Sequence, residues 1–195
     1  MNEERLDRKQ YYVAPITIQE ARALVEKLHY ARSATNTGVY THGLFKVGSA
    51  HPIGVAWWLP PTKNAAVTTF PEGDWRKVLA LTRLAIEEFA PKNSASFLLA
   101  GSVKLIDRTK WHCLVTYADT WRGHTGAIYR ACNWEYMGVT KKSPVWVNSV
   151  GQMMGRKRGA KNLTVKEMGD LGFIKVGEFP KHKFRKVLID IRRQQ

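Results

Sequence analysis

Residues 77–99 read KVLALTRLAIEEFAPKNSASFLL. The first ten are almost wholly apolar, and breakers bound them on both sides. Such a run predicts a strand buried on both faces. Arg83 sits inside it, where a charge is costly unless paired or liganded. It is either half of a structural ion pair or a functional cation. Residues 94–107 then predict a helix, with Phe97, Leu98, Val103 and Leu105 among its apolar positions. Its start, Asn93-Ser94-Ala95-Ser96, is rich in small and hydroxyl residues. Free N–H groups at such a helix start make an anion site. Plain N-capping by Asn93 or Ser94 is the alternative.

Moving outward, HCLVTYA at 112–118 predicts a strand that ends at Asp119. A helix over 123–133 follows, and 134–139 lead into a further strand. Upstream, TIQEARALVEKL at 17–28 predicts a helix whose Thr17 and Glu20 form a capping box. His29-Tyr30 stand at its exit. GVYTHGLFKV at 38–47 reads as two short strands around His42-Gly43. IGVAWWL at 53–59 is a third strand, stopped by Pro60-Pro61, and 64–74 read as loop. Downstream, 162–172 give a short helix with a second capping box, Thr164 and Glu167. Residues 173–178 and 184–191 read as a strand pair around Phe179-Pro-Lys-His-Lys183. Together these predict one domain, 1–195, of α/β (α+β) class, with a mixed central sheet flanked by helices.

Lys and Arg number 31 against 16 acids, a net charge of +15. A polyanion such as nucleic acid relieves that self-repulsion. Residues 140–195 hold 14 cations and 4 acids, so the last third carries most of the excess as a basic C-terminal extension. It is densest at MGRKRG, 154–159. Cys113 and Cys132 lie in apolar contexts, as in a reduced cytoplasmic protein. The six histidines show no metal-ligand spacing. The first residues are too charged for a signal peptide, and no apolar run is long enough for a bilayer, so no membrane partner is expected.

The strand–loop–helix–strand–helix–strand middle matches the core of the GNAT acetyltransferases. In that core a central strand leads through a phosphate loop into a helix, and the next strand ends beside the acyl chemistry. LTRLAI (81–86), PKNSASFLL (91–99) and YADTWRGHTGAIYRACNWEYMG (117–138) resemble, more narrowly, the Mom family of phage DNA-modification proteins. The set ADxxxGHxGxIYxAxNW with an upstream LxRLA strand carries the resemblance, which covers 17–140 as a catalytic core. Residues 141–195 form a basic part expected to contact DNA.

The resemblance implies a GNAT-like transferase. It would add a small acetamido (carbamoylmethyl) group to the N6 amine of adenine in double-stranded DNA, in the cytoplasm of the bacterial host. That group shields phage DNA from restriction. The resemblance also implies roles for His29, Tyr30, Arg83, Ser96, Asp119 and Tyr129. The usual Arg/Gln-x-x-Gly-x-Gly/Ala phosphate loop is absent, and Pro91-Lys-Asn-Ser-Ala-Ser96 stands in its place. The donor is then acetyl-CoA or another activated acyl or aminoacyl compound.

The lone pair of adenine N6 is delocalised into the ring, so the amine is a poor nucleophile. A carboxylate accepting its N–H raises its reactivity or takes the proton, and Asp119 is the candidate. Capping of the following turn is its other role. Arg83 would hold an anionic donor group or pair with Asp119, keeping that carboxyl ionised. Tyr129 would donate to a developing oxyanion or pack as a core tyrosine. Ser96, with Asn93 and Ser94, would bind donor phosphate or carbonyl, or cap the helix. His29 and Tyr30 would contact the base or relay a proton, and His124 would fix the loop.

Chemistry on N6 requires the base to leave the stack. Trp57, Trp58 and Trp134 are candidates to receive it, or else core residues. Arg156, Lys157, Arg158 and Lys161 in a Gly-bounded loop, and Lys181, His182, Lys183 and Arg185 in a second basic turn, would lie along phosphates. A GNAT-type N-acetyltransferase acting on a small molecule or protein is one alternative, opposed by the missing phosphate loop and the charge. A non-catalytic DNA-binding protein is another, and it leaves Arg83, Ser96, Asp119 and Tyr129 unexplained.

Overall fold

The computed structural model describes residues 4–158 and 161–189. In chain order the elements are β1 (Tyr11–Pro15), α1 (Ile18–Leu28), β2 (Tyr40–Lys46), β3 (Gly54–Leu59), α2 (Lys63–Thr69), β4 (Val78–Ile86) and α3 (Ser94–Lys104). Then come β5 (Cys113–Asp119), α4 (Ala127–Ala131), β6 (Glu135–Val139), β7 (Ser143–Val147), β8 (Met153–Met154), β9 (Lys157–Arg158) and β10 (Lys161–Asn162). α5 (Val165–Asp170), β11 (Ile174–Phe179) and β12 (Lys181–Val187) complete the described chain. Seven strands form one mixed sheet in the order β1-β2-β3-β4-β5-β12-β6, and only β4 and β5 run parallel. A smaller sheet, β11-β7-β8, and the β9–β10 hairpin stand beside it.

Alternation along the central strands decides which helix covers which face. Val55 and Trp57 of β3 pack with Ala21 and Val25 of α1. Ala56 and Trp58 turn the other way, to Leu98 and Leu99 of α3. Likewise Val78, Ala80, Cys113 and Val115 meet Ala66 of α2 and Phe70, while Leu79, Leu81 and Leu114 meet α3. Covering both faces is why 77–86 carry so few polar residues. The core also holds a buried polar knot: Trp58 Nε1 donates to Ser102 Oγ at 2.7 Å, and Ser102 Oγ lies 2.6 Å from His42 Nδ1. Burial pushes the His42 pKa down to about 4, so the ring is neutral at neutral pH.

Several expectations are corrected. Residues 38–47 hold one strand, not two: Gly43 lies mid-strand because a Cβ there would come within 2.9 Å of Ile16, Phe45 and Pro52. Within 64–74, expected as loop, α2 forms, capped by Thr62, which accepts from the Ala65 N–H. The helix of 123–133 is only α4, preceded by a 3-10 turn at Thr120–Arg122. The two C-terminal strands do not pair with each other. β11 pairs with β7, and β12 inserts between β5 and β6. The expected turn Phe179–Lys183 is thus largely strand, and part of the basic region forms an interior strand of the main sheet, next to its edge. Residue 159, and residues 190 and 191 of the expected strand, lie outside the described residues. Both capping boxes form as read.

Candidate active site

β4 and β5 pair only from Val78 to Leu81, against Cys113 to Thr116. Beyond that they part, and a cleft of about 610 Å³ opens between them. Its walls come from the second half of β4, the end of α1, Ala95 of α3, and the loop and helix that follow β5.

Asp119 ends β5 and is mostly buried; it does not itself line the cleft, but Ala118 before it and its partner Tyr30 do. Tyr30 O–H donates to its Oδ2. Lys181 Nζ, from the facing position on β12, lies 2.7 Å from its Oδ1. Burial alone would raise the carboxyl, but the bonds from Lys181 and Tyr30 outweigh it and hold Asp119 below the usual carboxylate range. The same bond, after burial, pushes the Tyr30 hydroxyl up.

His29 and Tyr30 arrive together because α1 stops at His29, whose extended backbone turns the chain toward the sheet. Their rings lie 4.3 Å apart. His29 Nδ1 accepts from the Ala31 N–H at 3.1 Å, which leaves the proton on Nε2. Burial, then the charge of Arg83, lowers its pKa to about 4, so His29 is neutral at neutral pH.

Arg83 lines the cleft but does not bond Asp119. Its Nε donates to Ser33 O at 3.0 Å and its Nη1 to Thr82 O at 2.7 Å. Nη2 has no partner among the described residues. Tyr129 borders the cleft on α4 and packs against Phe184 and Trp134 at ring distances of 5.2 and 5.8 Å. Burial raises its hydroxyl, and Thr116 beside it pulls the other way. His124 is exposed, its ring edge-on to Tyr30 at 5.6 Å, and its N–H donates to Asp119 O.

Ser96 and Asn93 do not join this group. They line a second groove of about 600 Å³, and only Ala95 of α3 faces the first. Asn93 takes a left-handed backbone, φ 72°, with no side-chain cap. Ser94 is buried and donates to Pro91 O, and Ser96 donates to Asn93 O. Neither expected cap therefore forms.

The basic set divides. Lys181 is the partner of Asp119. Lys183, expected at phosphates, is 9% exposed and donates to Thr68 Oγ1 at 2.9 Å. Arg185 is held by Glu72 and Glu135, each at 2.7 Å, so it braces the sheet from inside. Lys161 pairs with Glu167, and Arg156 donates to Leu163 O. Lys157 and Arg158 stand exposed on the β9–β10 hairpin. Trp57, Trp58 and Trp134 are core residues.

A mixed sheet covered by helices on both faces, opening between its one parallel pair of strands, is the fold of the GNAT acetyltransferases. Solved structures agree. A GNAT family acetyltransferase from Elizabethkingia anophelis with acetyl-CoA bound superposes at a TM-score of 0.54 and 12% identity, over 93% of this chain and 100% of that one. An IAA acetyltransferase from Bacillus cereus gives 0.54 and 14%, over 91% and 99%. At such identities the likeness is one of fold alone. The Mom protein family matches residues 10–187, and the chain belongs to that family. One relative, methylcarbamoylase mom of Escherichia phage Mu, is 27% identical over 137 residues, which cover 67% of this chain and 54% of that protein. The chain thus spans about half the length of the curated relative it matches.

Proposed function

We propose that this protein is a DNA-modifying transferase that attaches a small acetamido (carbamoylmethyl) group to adenine N6 in double-stranded DNA, protecting phage DNA from restriction inside the host cell. The observation that carries this reading is Asp119, an ionised carboxylate fixed by Tyr30 and Lys181 beside the β4–β5 cleft. Membership of the Mom family, the relative's name and the +15 charge support the choice of substrate.

Asp119 accepts an N6–H of the base and takes that proton as the N6–C bond forms, while the leaving group departs with the bonding pair. A carboxylate there favours bases with an exocyclic amine over those that present a carbonyl. Neutral His29 offers its Nε2–H as a donor, and the free Nη2 of Arg83 is a cationic one.

The cleft suits an acyl thioester through its apolar wall, Leu81, Leu84, Ile86 and Ile128, and through the start of α3 at Ala95. A thioester carbonyl would leave an amide on N6, whereas a carbamoylmethyl group is bonded to N6 through its CH2 carbon, so the donor would have to present that methylene with the leaving group on it. Lacking a glycine loop, Pro91–Ser96 does not offer the usual phosphate cradle, and other activated acyl or aminoacyl donors fit equally well. Exposed Lys157 and Arg158, with Arg156 beside them, would follow the phosphates.

The test is to express the protein in bacteria, digest the DNA to nucleosides and weigh them. A heavier deoxyadenosine that vanishes in Asp119→Ala is expected. Unmodified adenine in every wild-type preparation would refute the proposal.

A further inference from the structure

A base swung out of the duplex needs flat surfaces to receive it, and the tryptophans expected for that task are buried in the core. Trp121 is different. It lies two residues beyond Asp119, on the 3-10 turn Thr120–Arg122, and it packs in none of the three hydrophobic clusters. It is half-buried, and among the described residues the one ring contact it makes is with Arg122, whose guanidinium sits 4.0 Å from the indole centroid. The same guanidinium is 5.3 Å from the Tyr30 centroid, and Tyr30 bonds Asp119.

Arg122 is exposed, and among the described residues it makes no hydrogen bond or ion pair, so its N–H donors are free. Gly123 closes the turn with a left-handed backbone, φ 72°, and nothing lies within 4 Å of where a Cβ would stand, so the surface beside it is open. Trp121, Arg122, Tyr30 and the edge of His124 therefore form an aromatic and cationic lip beside the carboxylate.

We propose that Trp121 and Arg122 form the receiving site for an extruded adenine. They offer a π surface and a guanidinium to the purine ring while its N6 amine reaches Asp119. An indole and a guanidinium each stack on a base. The free N–H groups of Arg122 match the ring nitrogen acceptors of a purine, whose amine donates to the carboxylate. The lip recognises a nucleobase as such, and Asp119 beside it selects for the amine. This inference rests on the adenine-modifying reading of the cleft, and it adds which residues hold the base.

The test is a binding measurement that needs no donor. Two duplex oligonucleotides are compared, identical except that one carries a single adenine opposite an abasic gap. Without a pair to break, the gapped duplex costs less to open. The wild type should prefer it by about tenfold or more, the size of one base stack. Trp121→Ala should collapse the preference to about twofold or less, because its indole is gone. Arg122→Lys, which keeps the charge but loses the planar group, should do the same. Affinity for the fully paired duplex should fall little in Arg122→Lys.

Both positions lie outside the core, so thermal unfolding should match the wild type. A wild type without preference, or a preference that survives both substitutions, overturns the proposal. Nucleoside masses separate it from the reading beneath it. Preference without any heavier adenine refutes the chemistry alone, whereas heavier adenine with undiminished variants refutes only the lip.

Discussion

Replacing Lys181 by Met takes the ammonium group away from Asp119 and leaves most of the aliphatic stem in place. The two charges lie 2.7 Å apart, with the side chains 38% and 11% exposed. At about 4 Å and an effective dielectric near 20, a pair of unit charges gains roughly 4 kcal/mol. Solvent around Lys181 and the desolvation of both groups reduce that to about 2 kcal/mol. In a protein of this size such a loss lowers Tm by roughly 4–8 °C.

The sign with pH follows from the depressed carboxyl of Asp119. Its stabilisation is present above the ordinary carboxylate range and is lost as pH falls through the lowered value. In Lys181→Met, the strongest opponent of burial is gone and the bond from Tyr30 and the neighbouring His124 remain, so the carboxyl rises. The stability gap between wild type and variant is then widest at neutral pH and closes in acid. Urea titrations at neutral pH and at about pH 3 measure it. The acid limb of the modification rate should move to higher pH as well. A gap of equal size at both pH values would refute the electrostatic account and leave Lys181 as packing only.

Two further substitutions test the scaffold. Ser102→Ala leaves both His42 Nδ1 and Trp58 Nε1 unpartnered in the core, and it should cost about 1–3 kcal/mol in urea unfolding; an unchanged midpoint would deny the knot its role. Gly126→Ala adds a Cβ 2.2 Å from the Phe184 ring at a φ of +76°; it should destabilise by about 2 kcal/mol or more and, by moving Tyr129, reduce the heavier adenine, whereas a wild-type Tm would show that α4 shifts freely.

What the sequence disclosed depended on how local each signal was. β4 and β5 were legible because strands covered on both faces are written as unbroken apolar runs. α1 and α5 were legible from capping boxes, which need only four residues. α2 was missed because its Asn and Thr residues are poor helix formers, and packing of Ala66 and Phe70 on the sheet supplies what propensity does not. Gly43 resembled a turn because its steric reason lies in Ile16 and Pro52, outside its own strand.

The candidate site divides the same way. Asp119, His29 and Tyr30 were singled out from the family pattern; His29 and Tyr30 line the cleft, and Tyr30 bonds Asp119 beside it. Lys181 was legible only as charge, because its meeting with Asp119 is set by the register of two strands 62 residues apart. Register of that kind is decided by the assembled sheet. Nothing in the sequence singled out Arg122, whose nearness to the Trp121 and Tyr30 rings depends on the turn that follows β5.

The order in which the chain is made differs from the order in which the sheet is built. β12 is the last described strand to be synthesised, yet it fills the gap between β5 and β6. Until residue 187 has left the ribosome, the whole edge of Cys113–Asp119 lacks a neighbour on that side, and β6 has nothing to pair with. At about 5–20 residues per second, that edge waits several seconds, exposed to chaperones and to other nascent chains. Asp119 waits with it for Lys181. A chain cut short before β12 therefore has an open sheet edge and a carboxylate without its cation, and the site closes only when translation has passed it.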